Sequence, residues 1–180
     1  VLKDLGVHFY MNREIKGDGA IDDLKKTHHA VFVATGAWRS KKMNIPGEEY
    51  DTVWGAVEFL QKANSGEMTT VSGIVATVGG GNAAIDAART VLRMGAKESH
   101  IIYRRTRAEM PANSEEIEEA EAEGVIFHFL SNPLSIVPAN VGTLVNVQKM
   151  ELGEPDDSGR RRPVPVPGSE EIIPFNLVIM

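Results

Sequence analysis

The sequence lacks cysteine altogether and contains no long apolar run. The absence of cysteine excludes disulfide bonds, thiolate catalysis and iron–sulfur ligation within this chain, and it makes a cytoplasmic location the expectation. No segment approaches the roughly 20 apolar residues that a transmembrane helix needs. The N-terminus, VLKDL, becomes polar too soon for a signal peptide. We therefore expect no membrane partner.

Basic charge is also in deficit. The formal net charge is −6 at pH 7 and the pI is about 5.4, which argues against a nucleic-acid partner. The histidines show no spacing typical of a metal site, and no Ser–His–Asp order stands out. We expect structural roles for all five: His8, His28, His29, His100 and His128.

The chain does contain a strand, a glycine turn and a helix in succession. Residues 74–78 are β-prone, and Gly79, Gly81 and Ala84 then match G-x-G-x-x-G/A. The first glycine permits a tight turn, the second lets the backbone approach a pyrophosphate, and the third small residue lets the helix pack closely. The helix N-terminus favours phosphate. Two further features favour a dinucleotide-binding turn over an ordinary glycine turn. They are apolar residues at helical spacing (84, 87, 88, 91 and 92) and a second strand at 99–103.

Two arginines end the second strand, and a third follows closely. An acidic residue at this position favours NAD, whereas an arginine accommodates a 2′-phosphate. Arg104 and Arg105, with Arg107 beyond, therefore predict NADPH and argue against an S-adenosylmethionine domain. The alternative is that these arginines pair with the acidic segment that follows, whose glutamates are at positions 109, 115, 116, 118, 119, 121 and 123.

The rest of the chain predicts an α/β fold. We expect strands at 7–15, 30–34 and 125–130, a helix at 56–63, and a helix that Asn113 or Ser114 caps and Gly124 ends. The βαβαβ unit should have right-handed crossovers. A three-stranded antiparallel meander should follow at 134–137, 143–152 and 163–173, with a polar hairpin tip at 153–162. Residues 177–180 should return to the main sheet, and both tryptophans should pack at the linker.

Both ends of the chain look cut. Val1 is not an initiator methionine, and the chain stops in an apolar run, Leu177–Met180, with no loop after it. Ligands of parallel α/β folds lie just beyond such strand ends. We therefore expect a piece of a longer enzyme that lacks parts of its own sites.

Three blocks in order, GGGNAAIDAARTVLRMGA (79–96), YRRTRAEMPA (103–112) and EGVIFHFLSNP (123–133), closely resemble the glutamate synthase small-subunit family. That family includes the N-terminal half of dihydropyrimidine dehydrogenase and ferredoxin–NADP transhydrogenase subunits. Upstream segments also match, at 6–15, 30–37 and 45–60, so the resemblance covers essentially the whole chain. The chain has no Cys-x-x-Cys before Gly79, unlike thioredoxin reductases.

The resemblance implies two nested dinucleotide domains, one for FAD and one for NADPH. It implies that NADPH reduces FAD and that electrons then leave through iron–sulfur clusters on other domains or subunits. Residues 1–50 would be the C-terminal part of the first FAD-domain segment, and 51–180 the NADPH-binding domain. The implied cofactor-binding residues are Gly79, Gly80, Gly81, Asn82 and Ala83 for the pyrophosphate, Arg104, Arg105 and Arg107 for the 2′-phosphate, and Ile15, Thr35, Gly36 and Ala37 for FAD.

The leading hypothesis is thus the NADPH-binding domain of a flavin-dependent oxidoreductase. The family's first FAD glycine motif and its cluster-binding cysteines are absent from this chain, so the chain alone should bind FAD poorly or not at all. Two alternatives stay open at this point. One is a nucleotide-sensing or subunit-docking module without turnover, and the other is an NADH-linked reductase.

Overall fold

The computed structural model describes residues 1–36 and 40–180. The chain divides into two compact units, Val1–Gly36 and Ala37–Met180. The sequence suggested a boundary at 50/51 from cofactor assignments; that functional division stays a prediction.

The first unit contains one helix, α1 (Ala20–Thr27), with Asp22 and Asp23 in its first turn and Lys25 and Lys26 in its last. This charge order complements the helix dipole. The strands expected at 7–15 and 30–34 are wrong, because neither segment is a strand and Phe32 is 93% exposed. A strand needs neighbours for its backbone hydrogen bonds, and residues 1–36 contain no other strand to supply them.

The second unit is built on a five-stranded parallel sheet in the order β1-β9-β2-β3-β4. Its strands are β1 (Val53–Trp54), β2 (Ile74–Val78), β3 (Glu98–Tyr103), β4 (Ile126–Phe129) and β9 (Leu177–Ile179). The predicted return of the chain to this sheet after the meander is confirmed, since β9 pairs with both β1 and β2. The two-residue β1 was not foreseen from the sequence.

Three helices pack against this sheet: α2 (Ala56–Ser65), α3 (Asn82–Arg93) and α4 (Ser114–Ala122), with a 3₁₀ turn at Arg107–Glu109. The predicted apolar face of α3 is confirmed, with Ala84, Ala87, Ala88 and Val91 all buried. The small side chains let α3 lie close to β2 and β3. One cluster, around Ile85, joins α3 to α4, and another, around Phe59, joins it to α2. α4 begins after Asn113, as expected, though no side chain caps it.

An antiparallel sheet covers the other side of the parallel one. Its strands are β5 (Ser131–Pro138), β6 (Thr143–Pro155), β7 (Arg161–Pro165) and β8 (Glu171–Phe175), with β6 at the centre. The predicted meander is confirmed with one correction, because its third strand is two strands, β7 and β8. Pro167 and Gly168 separate them, and each pairs with a different half of β6. Val145 and Phe175 pack here against Val178 of the parallel sheet.

This topology fixes where a ligand can bind. β3 and β4 follow β2 on one side, whereas β9 lies on its other side, so the strand order reverses between β2 and β9. In open parallel sheets, ligands bind beyond the carboxyl ends of the strands at such a reversal. The glycine turn that follows β2 lies at this point.

Candidate functional site

The glycine turn at residues 79–81 connects β2 to α3. Gly79 has φ of 141°, which disfavours any side chain, and its N–H donates to the Ile102 carbonyl at 3.1 Å. A Cβ on Gly80 would lie 2.5 Å from the Tyr103 ring, so packing requires glycine there. The first two glycines are therefore needed by the fold itself.

Gly81 differs, because no described part of the protein requires a glycine there. Its φ is −92°, open to any residue, and a Cβ built there meets no atom of the described residues within 4 Å. It is the N-cap residue of α3, yet no side chain caps that helix. The N–H groups of Gly80, Gly81, Asn82 and Ala83 have no acceptor among the described residues. The turn thus presents open space and free donors at the positive end of a helix, as a pyrophosphate requires.

A second loop, after β3, holds the glycine turn in place. The N–H of Ala112 donates to the Gly80 carbonyl at 3.2 Å, and that of Asn113 donates to the Asn82 side-chain oxygen at 3.0 Å. The Tyr103 hydroxyl donates to the Glu109 carbonyl at 2.7 Å. Sequence reasoning missed this brace, because backbone contacts between loops carry no residue signature.

Arg104 is the first residue after β3. Its side chain is exposed, and no carboxylate pairs with it among residues 1–36 and 40–180. Because β3 lies beside β2, with Val78 opposite Ile102, Arg104 follows the neighbouring strand at the same edge of the sheet. Of the three predicted arginines, Arg104 has the side chain available to a ligand.

Arg105 is held inside the protein. It is 4% exposed, its Nη2 donates to Asp156 Oδ2 at 2.6 Å, and its Nε donates to the Arg161 carbonyl at 2.7 Å. Both partners belong to the hairpin that joins β6 and β7. The sequence placed Arg105 among the phosphate ligands, and the structure gives its guanidinium two protein partners instead. Its role toward nucleotide stays a prediction.

Arg107 is exposed and pairs with the acidic helix. Its Nε donates to Glu121 Oε1 at 3.1 Å, and Glu118 lies 3.8 Å away. The hydrogen bond with Glu121 raises the pKa of Arg107. The sequence left open that these arginines pair with the acidic segment that follows them, and Arg107 does so. Glu121 and Glu118 offset the charge of Arg107 in this arrangement, so its role toward nucleotide stays a prediction.

Most remaining glutamates of α4 are used inside the domain. Arg89 of α3, only 12% exposed, pairs with Glu116, with Glu119 at 2.6 Å and with Glu123 at 2.7 Å. Arg93 also pairs with Glu123, at 2.5 Å. The side-chain hydrogen bond from Arg89 lowers the pKa of Glu123 to about 2. This network joins α4 to the C-terminal half of α3.

Replacing Glu123 by Gln should lower the free energy of unfolding by about 1–2 kcal/mol at pH 7. The shift in the pKa of Glu123 alone corresponds to a larger loss, which we reduce because water screens this partly exposed carboxylate. A carboxyl with a depressed pKa stabilises the fold above its unfolded pKa, and that contribution is lost as the pH falls toward about 2. Urea unfolding between pH 5 and 2 should therefore show a shallower loss in Glu123→Gln. Glu115→Gln is the control, because Glu115 is exposed and forms no ion pair with any described residue. Equal pH dependence in all three proteins would contradict the assignment.

The expected FAD residues lie in and next to the first unit. Ile15 is 48% exposed, and Thr35 and Gly36 are also exposed, with Gly36 at φ of 70°. Ala37 lies outside the described residues, as does Trp38, which was expected at the linker. The FAD assignments therefore stay predictions.

A cleft of about 370 Å³ lies beyond the ends of β1 and β9. It is lined by Ser40, Lys41, Lys42, Glu48, Val53, Trp54, Gly55, Glu58 and Met180. It lies on the β9 side of the strand reversal, whereas the glycine turn and Arg104 lie on the β2 and β3 side. The cleft and the glycine turn therefore follow neighbouring strands, β9 and β2, at the same edge of the sheet. Sequence reasoning did not predict this cleft, because the two-residue strand β1 that lines it is too short to show a strand pattern.

Two histidines form a pair on the sheet face opposite α3. His100 Nδ1 and His128 Nε2 are 2.8 Å apart, and the rings stack at 5.1 Å beside Phe175. Burial, and then the neighbouring His100, lower the pKa of His128. The expected structural roles fit this pair. No group of three metal-ligating side chains occurs in the described ranges, and no helix in them is long and apolar enough to span a membrane.

Known proteins with similar sequences include oxidoreductase subunits. The chain is 49% identical to the NADP(+)-dependent formate dehydrogenase subunit beta of Moorella thermoacetica, over 99% of this chain and 26% of that protein. It is 36% identical to the glutamate synthase (NADPH) small chain of Escherichia coli K12, over 100% of this chain and 41% of that protein. The predicted resemblance to that family is confirmed. The chain spans from about a quarter to two-fifths of these relatives.

The fold has solved counterparts. FprA of Mycobacterium tuberculosis, determined in complex with NADPH, matches with a TM-score of 0.65 at 21% identity, over 88% of this chain and 50% of that one. This match supports the predicted fold class, which is confirmed. Residues 2–158 match the family described as pyridine nucleotide-disulphide oxidoreductase. The chain therefore belongs to the pyridine nucleotide-disulphide oxidoreductase family.

Proposed function

We propose that this chain is the NADPH-binding domain of a glutamate synthase small subunit-like flavoprotein, which transfers hydride from NADPH to FAD and on to iron–sulfur clusters. One observation carries the proposal. Within the described part of the chain, a helix N-terminus with free N–H groups and open space at Gly81 lies beside Arg104, which no carboxylate there pairs with. The names of the relatives, which include NADPH-dependent enzymes, agree with it.

In this proposal the N–H groups of residues 80–83 bind the pyrophosphate, and Arg104 binds the 2′-phosphate of the adenosine ribose. Arg107 joins Arg104 by exchanging its exposed pairing with Glu121 for the phosphate, at little cost because exposed ion pairs contribute little. The cleft beyond β1 and β9 takes the nicotinamide half. NADPH supplies the hydride, and the protein's part is to bind and orient it. No side chain of this chain needs to transfer a proton.

The FAD part of the proposal depends on the first unit. Ile15, Thr35, Gly36 and Ala37 would contact FAD, with residues 1–50 belonging to the FAD domain and 51–180 to the NADPH domain. Iron–sulfur clusters would belong to other domains or subunits, since the chain has no cysteine. The same absence means that no redox disulfide takes part within this chain, despite the family name.

Anaerobic titration of the full-length protein tests this function. We expect NADPH to bind at least about tenfold more tightly than NADH, and NADPH to bleach the flavin absorbance near 450 nm in a stopped-flow experiment. NADPH binding without flavin reduction would instead indicate a sensing or docking module. Equal affinity for both nucleotides would contradict the 2′-phosphate site. The structure favours the docking alternative less. Four glutamates of α4, and Glu123 after it, form ion pairs within the domain, so fewer acidic side chains are free to contact a partner.

A further inference from the structure

The hairpin between β6 and β7 is joined to the loop that carries Arg104. Its tip is a tight turn in which the Gly159 N–H donates to the Asp156 carbonyl and the Asp156 N–H donates to the Arg160 carbonyl, both at 2.8 Å. The Asp156 side chain accepts from the Ser158 N–H at 2.9 Å through Oδ1, which leaves Oδ2 for Arg105. The turn therefore holds this carboxylate in one orientation.

Arg105 donates a hydrogen bond to this carboxylate from the loop that follows β3. Its guanidinium also donates to the Arg161 carbonyl, and its own carbonyl accepts from the Leu130 N–H at 3.0 Å. A further link runs from Arg161 Nε to Glu109 Oε1, at 3.2 Å, at the far end of the same loop. The loop of residues 104–110 is thus fixed by the hairpin at two points.

The burial of Arg105 makes the Asp156 charge necessary. The Arg105 side chain is 5% exposed and that of Asp156 is 24% exposed. Asp156 is the one carboxylate that pairs with Arg105 among the residues that the structure describes, and a buried guanidinium that loses such a partner is strongly destabilised where it lies. Without Asp156 the side chain would leave its place for solvent, and the backbone of the adjacent Arg104 would move with it.

We propose that Asp156 is a positioning residue for NADPH selectivity, which holds Arg105 in the hairpin so that Arg104 alone is presented to the 2′-phosphate. The inference rests on the proposed NADPH site and adds a part of the antiparallel sheet to it. A ligand site held in shape before binding loses less entropy when it binds. The NADPH-over-NADH preference should therefore depend on a residue that does not touch the nucleotide.

Asp156→Asn in the full-length protein tests this, with the dissociation constants of NADPH and NADH measured by isothermal titration calorimetry. We expect NADPH binding to weaken about fivefold and NADH binding to change less than twofold. Asp157→Asn removes the same charge from the same turn, where Asp157 is exposed and has no hydrogen bond or ion pair from its side chain within the described structure, and it should leave both constants unchanged. In an Arg104→Ala background, Asp156→Asn should have no further effect on the preference.

Each of the other outcomes would overturn the inference. One is an unchanged preference for NADPH over NADH in Asp156→Asn. Another is tighter NADPH binding in that variant, which would make Asp156 a competing counter-charge. An equal loss for both nucleotides, or an additive loss in the Arg104→Ala background, would also overturn it, since either indicates a merely structural role. If Asp156→Asn does not fold, Asp156→Glu, which displaces the carboxylate by one methylene, should show about a threefold loss of preference. Wild-type protein without any NADPH preference would refute the proposed function instead.

Discussion

Replacing Gly81 by Ser should weaken NADPH binding at least about tenfold while leaving the fold as stable as before, or slightly more stable. Serine is a favoured N-cap residue, and its hydroxyl would accept from a free N–H at the start of α3. The same oxygen and its Cβ would occupy the open space where the pyrophosphate is proposed to bind. Losing one or two charge-assisted hydrogen bonds, about 1.5–3 kcal/mol each, corresponds to at least tenfold in affinity.

The opposite signs of the two effects make this test specific. A change that merely damaged the turn would lower stability and affinity together, as we expect for Gly80→Ala, whose Cβ would clash with the Tyr103 ring. Thermal unfolding and NADPH titration of both variants separate the two cases. If Gly81→Ser binds NADPH as tightly as the wild type, the glycine turn is not the phosphate site.

The central part of the fold was predictable because local pattern and tertiary position agree there. Residues 74–78, the glycine turn and the small-faced α3 carry a strand period, a turn and a helix period in direct succession, and the structure has all three. The errors occur where a strand depends on distant partners. Residues 30–34 have a strand-like composition without a partner strand in the described residues, whereas Val53–Trp54 becomes a strand only because β9 lies beside it.

The site shows the same division between local and distant information. Gly81 and Arg104 could be proposed from the sequence because the roles expected of them follow from residue type at a fixed place in the motif. That Arg105 turns inward while Arg104 stays exposed depends on Asp156, 51 residues further along the chain. No spacing rule connects Arg105 with Asp156. Sequence reasoning therefore gave Arg104 and Arg105 the same role, and only the tertiary structure distinguishes them.

This distinction leads to a single-residue test of cofactor choice. Arg104→Ala should raise the dissociation constant of NADPH about tenfold to a hundredfold and change that of NADH less than twofold. The range follows from one charge-assisted hydrogen-bonding group, worth about 1.5–3 kcal/mol, with the lower part favoured because Arg104 is exposed. Arg104→Lys should fall between, since lysine keeps the charge but loses the planar fork that matches a phosphate.

Arg162→Ala is the matched control, because Arg162 is likewise exposed and without an ion pair among the described residues, but lies on β7. It should leave the NADPH-to-NADH preference unchanged. The preference of the wild type should also fall as salt rises, whereas in Arg104→Ala salt should have little left to screen. An equal loss for both nucleotides in Arg104→Ala would mean that this arginine supports the loop rather than binding the 2′-phosphate, and the choice of NADPH would then need another cation.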